Sequence, residues 1–107
     1  MNVKVYCTLR FEGFHYWESA PEECFFLRHP HRNVFHVEAY KSVTHLDRDI
    51  EFITMKQKIQ DYVDTKYAGL TFQASCEMIA VDLIRKFDLT MCGVSEDGEN
   101  GAVVTNM

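Results

Sequence analysis

The sequence predicts an α+β domain of ββααββ order, an antiparallel sheet with two helices on one face. Three observations predict it. Val3, Val5, Cys7, Leu9 and Phe11 alternate with polar or mixed residues, the period-two mark of a half-buried strand. Phe52, Met55, Ile59, Tyr62 and Val63 fall on one face at helical spacing, as do Cys76, Ile79, Ala80, Leu83, Ile84 and Phe87 further on. The remaining apolar segments are short and β-branched, bounded by polar turns.

The first strand keeps its parity through Gly13 to His15, which places His15 on the face that begins apolar. Residues 17–30 read as a loop with an apolar plug, Phe25-Phe26-Leu27, and hold both prolines, Pro21 and Pro30. Tyr16, Trp17 and Phe25 could stack on a ligand, with core packing the expected fate of Phe25. A second strand over 33–44 carries Val34, Phe35, Val37, Tyr40, Val43 and Thr44. The first helix is expected over 52–66, with Lys56, Lys58, Gln60 and Asp61 off the buried face. Ser75 is a good N-cap for the second helix, and Glu77 suits its positive start. Strands over 89–95 and 102–105 flank a polar connection at 96–101.

The chain of 107 residues is expected to be one domain, with 47% hydrophobic and 25% charged residues. Its net charge of −5 argues against nucleic acid or an anionic membrane as a bulk partner, since neither attracts an acidic surface. No apolar run approaches the roughly 20 residues of a spanning helix, and the start of the chain lacks a signal peptide's apolar block. A cytoplasmic location is expected. The four cysteines, Cys7, Cys24, Cys76 and Cys92, form no CxxC pair and are expected as thiols, mostly buried.

Histidine carries the most chemical information. His29, His31 and Asn33 share parity at a strand entrance, so two imidazoles at i and i+2 would point one way. A third from a neighbouring strand, His15, would complete a three-ligand zinc site with an open position. The alternative is that they are solvent-facing loop histidines beside Arg28 and Arg32. Glu77 at a helix start and Glu96 at a strand end are the two carboxylates able to turn into a cleft, against a default of capping or exposure. The sequence contains no phosphate-binding loop, dinucleotide glycine fingerprint or nucleophile elbow.

In their order these segments resemble the 6-pyruvoyl- and 6-carboxytetrahydropterin synthases of the tunnelling fold, over nearly the whole chain. Phe11-Glu12-Gly13-Phe14-His15 looks like that family's Phe-x-Ala-Ala-His, which supplies its first zinc histidine. His31-Arg32-Asn33-Val34-Phe35-His36-Val37-Glu38 looks like His-Gly-His-Asn-Tyr-x-Val-Glu, the source of the other two. Phe52-Ile53-Thr54-Met55-Lys56 is similar to the Phe-x-x-Leu-Lys that opens the first helix. Ser75-Cys76-Glu77-Met78-Ile79-Ala80 resembles Thr-Thr-Glu-Asn-Leu-Ala, whose glutamate anchors the pterin ring. Val94-Ser95-Glu96-Asp97-Gly98 resembles the Val-x-Glu-Thr strand end, whose glutamate lies beside the catalytic groups.

The departures are specific. Asn33 stands where the third zinc histidine should be, and His29 is the available substitute. The catalytic cysteine position holds Leu27, with Cys24 displaced by three, and Thr65 stands where the family's catalytic histidine follows the first helix.

The resemblance therefore implies a divergent protein that binds a pterin- or purine-like heterocycle through Glu77, with Ser75 and Cys76 beside it and zinc held incompletely by His15, His29 and His31. A second reading is a working zinc-dependent lyase or synthase with Cys24 and Glu96 as its catalytic groups. A third is an interaction module that kept only the fold. The family's assembly implies a homo-oligomer, a trimer or hexamer.

Overall fold

The computed structural model describes residues 1–106 and is an α+β protein built on one curled sheet. Strand β1 spans Val3–His15 and pairs antiparallel along its full length with β2, His31–Val43, from Val3↔Val43 to His15↔His31. Helix α1 (Phe52–Lys66), strand β3 (Thr71–Phe72) and helix α2 (Cys76–Phe87) follow, then β4 (Met91–Glu96) and β5 (Asn100–Thr105). The sheet order is β3-β1-β2-β4-β5, antiparallel throughout except for the short parallel β1–β3 pairing.

One face of the sheet and one stripe of each helix make the core. Cys7, Leu9 and Phe11 of β1 and Phe35, Val37 and Ala39 of β2 pack with Met55, Ile59 and Val63 of α1 and with Ile79, Ala80, Leu83 and Ile84 of α2. Burying each large side chain of this kind contributes about 1.5–3 kcal/mol. The even positions of β1, such as Lys4, Tyr6, Thr8, Arg10 and Glu12, face solvent, so a register slip of one residue would expose the core set. Both helices are capped by side chains. Glu51 accepts from the Ile53 and Thr54 amides at 2.6 and 3.0 Å, and Ser75 Oγ accepts from the Met78 amide at 3.1 Å. The Glu51 contacts hold its carboxyl below the usual carboxylate range.

The helix bounds match the periodicity, and four differences mark where local pattern was insufficient. The loop over 17–30 contains a 3-10 helix, Glu22–Arg28, and its apolar residues are not a plug. Phe25 and Phe26 are 55% and 62% exposed, which overturns core packing for Phe25. Strand β2 begins at His31, because pairing with β1 continues to the histidines. Strand β3 is new, two residues whose parallel pairing to Phe14 and His15 draws the segment before α2 against the end of β1. It is admitted by Gly13, where an added Cβ would lie 2.5 Å from the Phe72 ring. Strands β4 and β5 extend inward to Glu96 and Asn100, leaving a tight turn in which Asp97 and Gly98 both have positive φ, 55° and 70°.

Among the described residues no helix is long and apolar enough to cross a membrane.

Candidate functional site

The inward face of the sheet changes character at one end. Phe11 and Phe35 stack at 5.1 Å, and beyond them the same parity presents His15, His31, Asn33 and Glu96. Strand pairing sets these positions, because His15 lies opposite His31, Gly13 opposite Asn33, and Phe35 opposite Glu96. The start of α2 overhangs this end, and between them opens a cleft of about 940 Å³. His15, Ser75, Cys76, Glu77 and Glu96 all line it. Trp17, Leu27 and Met78 supply apolar surface, and Gln73 and Asn100 add amides.

His15 joins the two sides. Its Nε2 lies 2.9 Å from the Ala74 carbonyl oxygen, which can only accept, so Nε2 carries the hydrogen and donates. Its Nδ1 then faces Glu96 Oε1 at 3.4 Å. The ring is wedged among His31, Phe35 and Phe72, with centroids 5.8, 5.8 and 5.5 Å away. Its side chain is 12% exposed, against 32% for Glu96. Through Nε2 the imidazole ties the segment that presents Ser75, Cys76 and Glu77 to the end of β1.

Glu77 follows the N-cap by two positions and, among the described residues, takes no hydrogen bond or ion pair. It is an exposed carboxylate in the first turn of α2, where the helix dipole favours its charge. Cys76 is buried, and its thiol is pushed up to about 11 by burial first and then by the Glu96 and Glu77 charges. It is therefore a neutral S–H at neutral pH, suited to contact and not to nucleophilic attack.

The other expected site residues lie differently. His31 touches the His15 ring but does not line the cleft, and its Nδ1 is 3.1 Å from the His29 carbonyl oxygen. His29 meets His31 through its backbone, and its side chain is exposed. Cys24 sits at a kink inside the 3-10 helix, partly exposed and away from the cleft lining, where Leu27 is found instead.

These positions bear on zinc directly. Of His15, His29 and His31, two rings meet, and each has one nitrogen already directed at a backbone carbonyl. Among the described residues no three His, Cys, Asp or Glu side chains are grouped to hold a metal ion. Asn33 gives Nδ2 to Asp97 Oδ2 at 2.8 Å, while the Val34 amide donates to Asp97 Oδ1 at 2.9 Å. These contacts hold the Asp97 carboxyl below the usual range and make Asn33 a tether for the β4–β5 turn. Its Oδ1 is buried without a partner, and an amide oxygen is a poor ligand for zinc. Among the described residues the three imidazoles are not brought together.

Three contributors carried little or no sequence signal. The Ala74 carbonyl has none. Gln73 accepts from the Glu18 amide at 3.0 Å, a pairing of residues 55 apart in sequence. Asn100 reaches the cleft because β5 starts two residues earlier than its apolar pattern. No family model matches the chain, and no curated protein matches it.

Proposed function

We propose that the cleft binds a pterin- or purine-like heterocycle and that the protein is a divergent relative of the 6-pyruvoyl- and 6-carboxytetrahydropterin synthases in the tunnelling fold. The observation that carries this is that a free carboxylate, Glu77, and an aromatic side chain, Trp17, line one cleft. Such heterocycles offer two adjacent N–H donors on a flat ring. A carboxylate accepts both in a charge-assisted pair, and an indole face covers the ring. Ser75 and Cys76 border Glu77 and supply small polar contacts to the same edge. His15 and Glu96 close the inner end.

Trp17 is the single tryptophan of the chain, so its fluorescence reports on the cleft. Titration of wild type with pterin or guanosine is expected to quench it saturably. Glu77→Gln is expected to weaken binding about 10–100-fold, the loss of one charge-assisted pair worth about 1.5–3 kcal/mol. No response in wild type, or an unchanged midpoint in Glu77→Gln, would contradict the reading and favour an interaction module.

The reading as a zinc-dependent lyase or synthase has one observation in its favour, the contact of the His15 and His31 rings. Metal analysis tests it: about one zinc per chain, lost in His15→Ala, would restore it and bring Cys24 and Glu96 back as catalytic candidates. Assembly into a trimer or hexamer belongs to the same proposal. It is supported by the outer edge of β5, which has no partner strand among the described residues, and it is tested by light scattering.

A further inference from the structure

We infer that Gln73 reads a ring carbonyl of the ligand, so that the cleft selects heterocycles whose two N–H donors stand next to an oxo group. On the reading of the cleft as a heterocycle site, on which this rests, Gln73 is its second recognition residue. Gln73 and Glu77 line the same cleft and stand on either side of Ser75, the N-cap of α2.

The orientation of the Gln73 amide is fixed by its partner. The Glu18 backbone N–H can only donate, so the side-chain atom 3.0 Å from it is Oε1, which accepts. Nε2 and its two hydrogens are left for the cleft. Both neighbours of Gln73 are tied as well. The Tyr16 amide donates to the Phe72 carbonyl at 3.1 Å, and His15 Nε2 donates to the Ala74 carbonyl at 2.9 Å. A donor held in place before the ligand arrives loses little freedom on binding. The segment that leads into α2 thus offers an acceptor, Glu77, and a donor, Gln73. The edge of a guanine or a pterin carries the complementary run of an amino group, a ring N–H and a carbonyl. The carboxylate accepts from the first two, and the amide donates to the third. A ring without the carbonyl leaves the Nε2 hydrogens unpaired against it, the penalty by which a hydrogen-bonding site rejects a close analogue.

Guanosine and 6-thioguanosine share the N–H pair, but the second replaces the carbonyl oxygen by sulfur, a weak acceptor. Calorimetry compares them in wild type, Gln73→Glu and Glu77→Gln. Gln73→Glu keeps an acceptor for the Glu18 amide while removing the donor, so the segment stays tied. Wild type is expected to bind guanosine about 5–10-fold more tightly than 6-thioguanosine. In Gln73→Glu the gap is expected to close to within about twofold, chiefly through weaker guanosine binding. In Glu77→Gln both compounds are expected to weaken alike, with the gap retained. A gap that persists in Gln73→Glu reflects the size of sulfur and overturns the inference while leaving the heterocycle site intact. Equal binding of the two compounds by wild type does the same. Failure of wild type to bind either compound removes the heterocycle site itself, and the role of Gln73 with it.

Discussion

Two polar clusters flank the first turns of α2, and they are built on opposite plans. Asp82 receives three donors, the Tyr62 hydroxyl at 2.8 Å, the Tyr67 hydroxyl at 2.5 Å and Lys66 Nζ at 2.9 Å, and these fasten α1 to α2. Burial raises the Asp82 carboxyl, and the three hydrogen bonds outweigh it, so the group lies below its ordinary range. Tyr67 is pushed up by burial and by the same carboxylate. The cleft leaves Glu77 open, and behind its inner end Asn33 Oδ1 is buried without a partner. A cluster whose donors and acceptors are matched stabilises the fold. One that retains an unmatched carboxylate contributes little to stability and is available to a ligand.

The largest effect is expected at Asp82. Asp82→Ala leaves two tyrosine hydroxyls and an ammonium without their acceptor and is expected to lower stability by about 2–3 kcal/mol, read by urea denaturation. Because the folded carboxyl is more acidic than the unfolded one, its stabilising effect is present above the unfolded value near pH 4. It is lost as pH falls through the depressed folded value. Wild type should therefore lose stability on acidification below about pH 4, with a smaller loss in Asp82→Ala.

Next in size is Asp97→Ala, which removes the acceptor for Asn33 and Val34 and leaves a Cβ at positive φ without local hydrogen bonds. A cost of about 1–2 kcal/mol is expected, together with weakened ligand binding, since the turn sits next to Glu96. Glu77→Gln is expected to shift stability by less than about 0.5 kcal/mol while abolishing most binding. A destabilisation comparable to that of Asp82→Ala would erase the distinction between the two clusters. The smallest effect is on thiol reactivity. Iodoacetamide at pH 8 should label Cys24 first, with Cys7, Cys76 and Cys92 protected by burial, checked by peptide mass spectrometry.

The helices and the inward parity of β1 were legible because their signals are local and repeated: five apolar residues at alternate positions fixed where His15 would point. Ser75 as N-cap was legible for the same reason. The meeting of His15 with Glu96 across the width of β2 depended on register, and Asn33's tie to Asp97 on a turn 64 residues away. Neither pairing leaves a trace in either segment alone. The exposed Phe25 and Phe26 show the converse: hydrophobic side chains do not imply burial in a segment that never reaches the core.

The long β1–β2 ladder has a consequence for how the molecule opens. Its innermost pair, His15↔His31, closes a short loop, whereas Val3↔Val43 closes a much longer one. The entropic cost of closure rises with the length of chain enclosed. Zipping therefore favours starting beside the histidines, and fraying favours starting at the Val3↔Val43 end. Amide exchange should accordingly be fastest near Val3 and slowest toward Phe11 and Phe35, so that breathing of the far end leaves the histidine end intact.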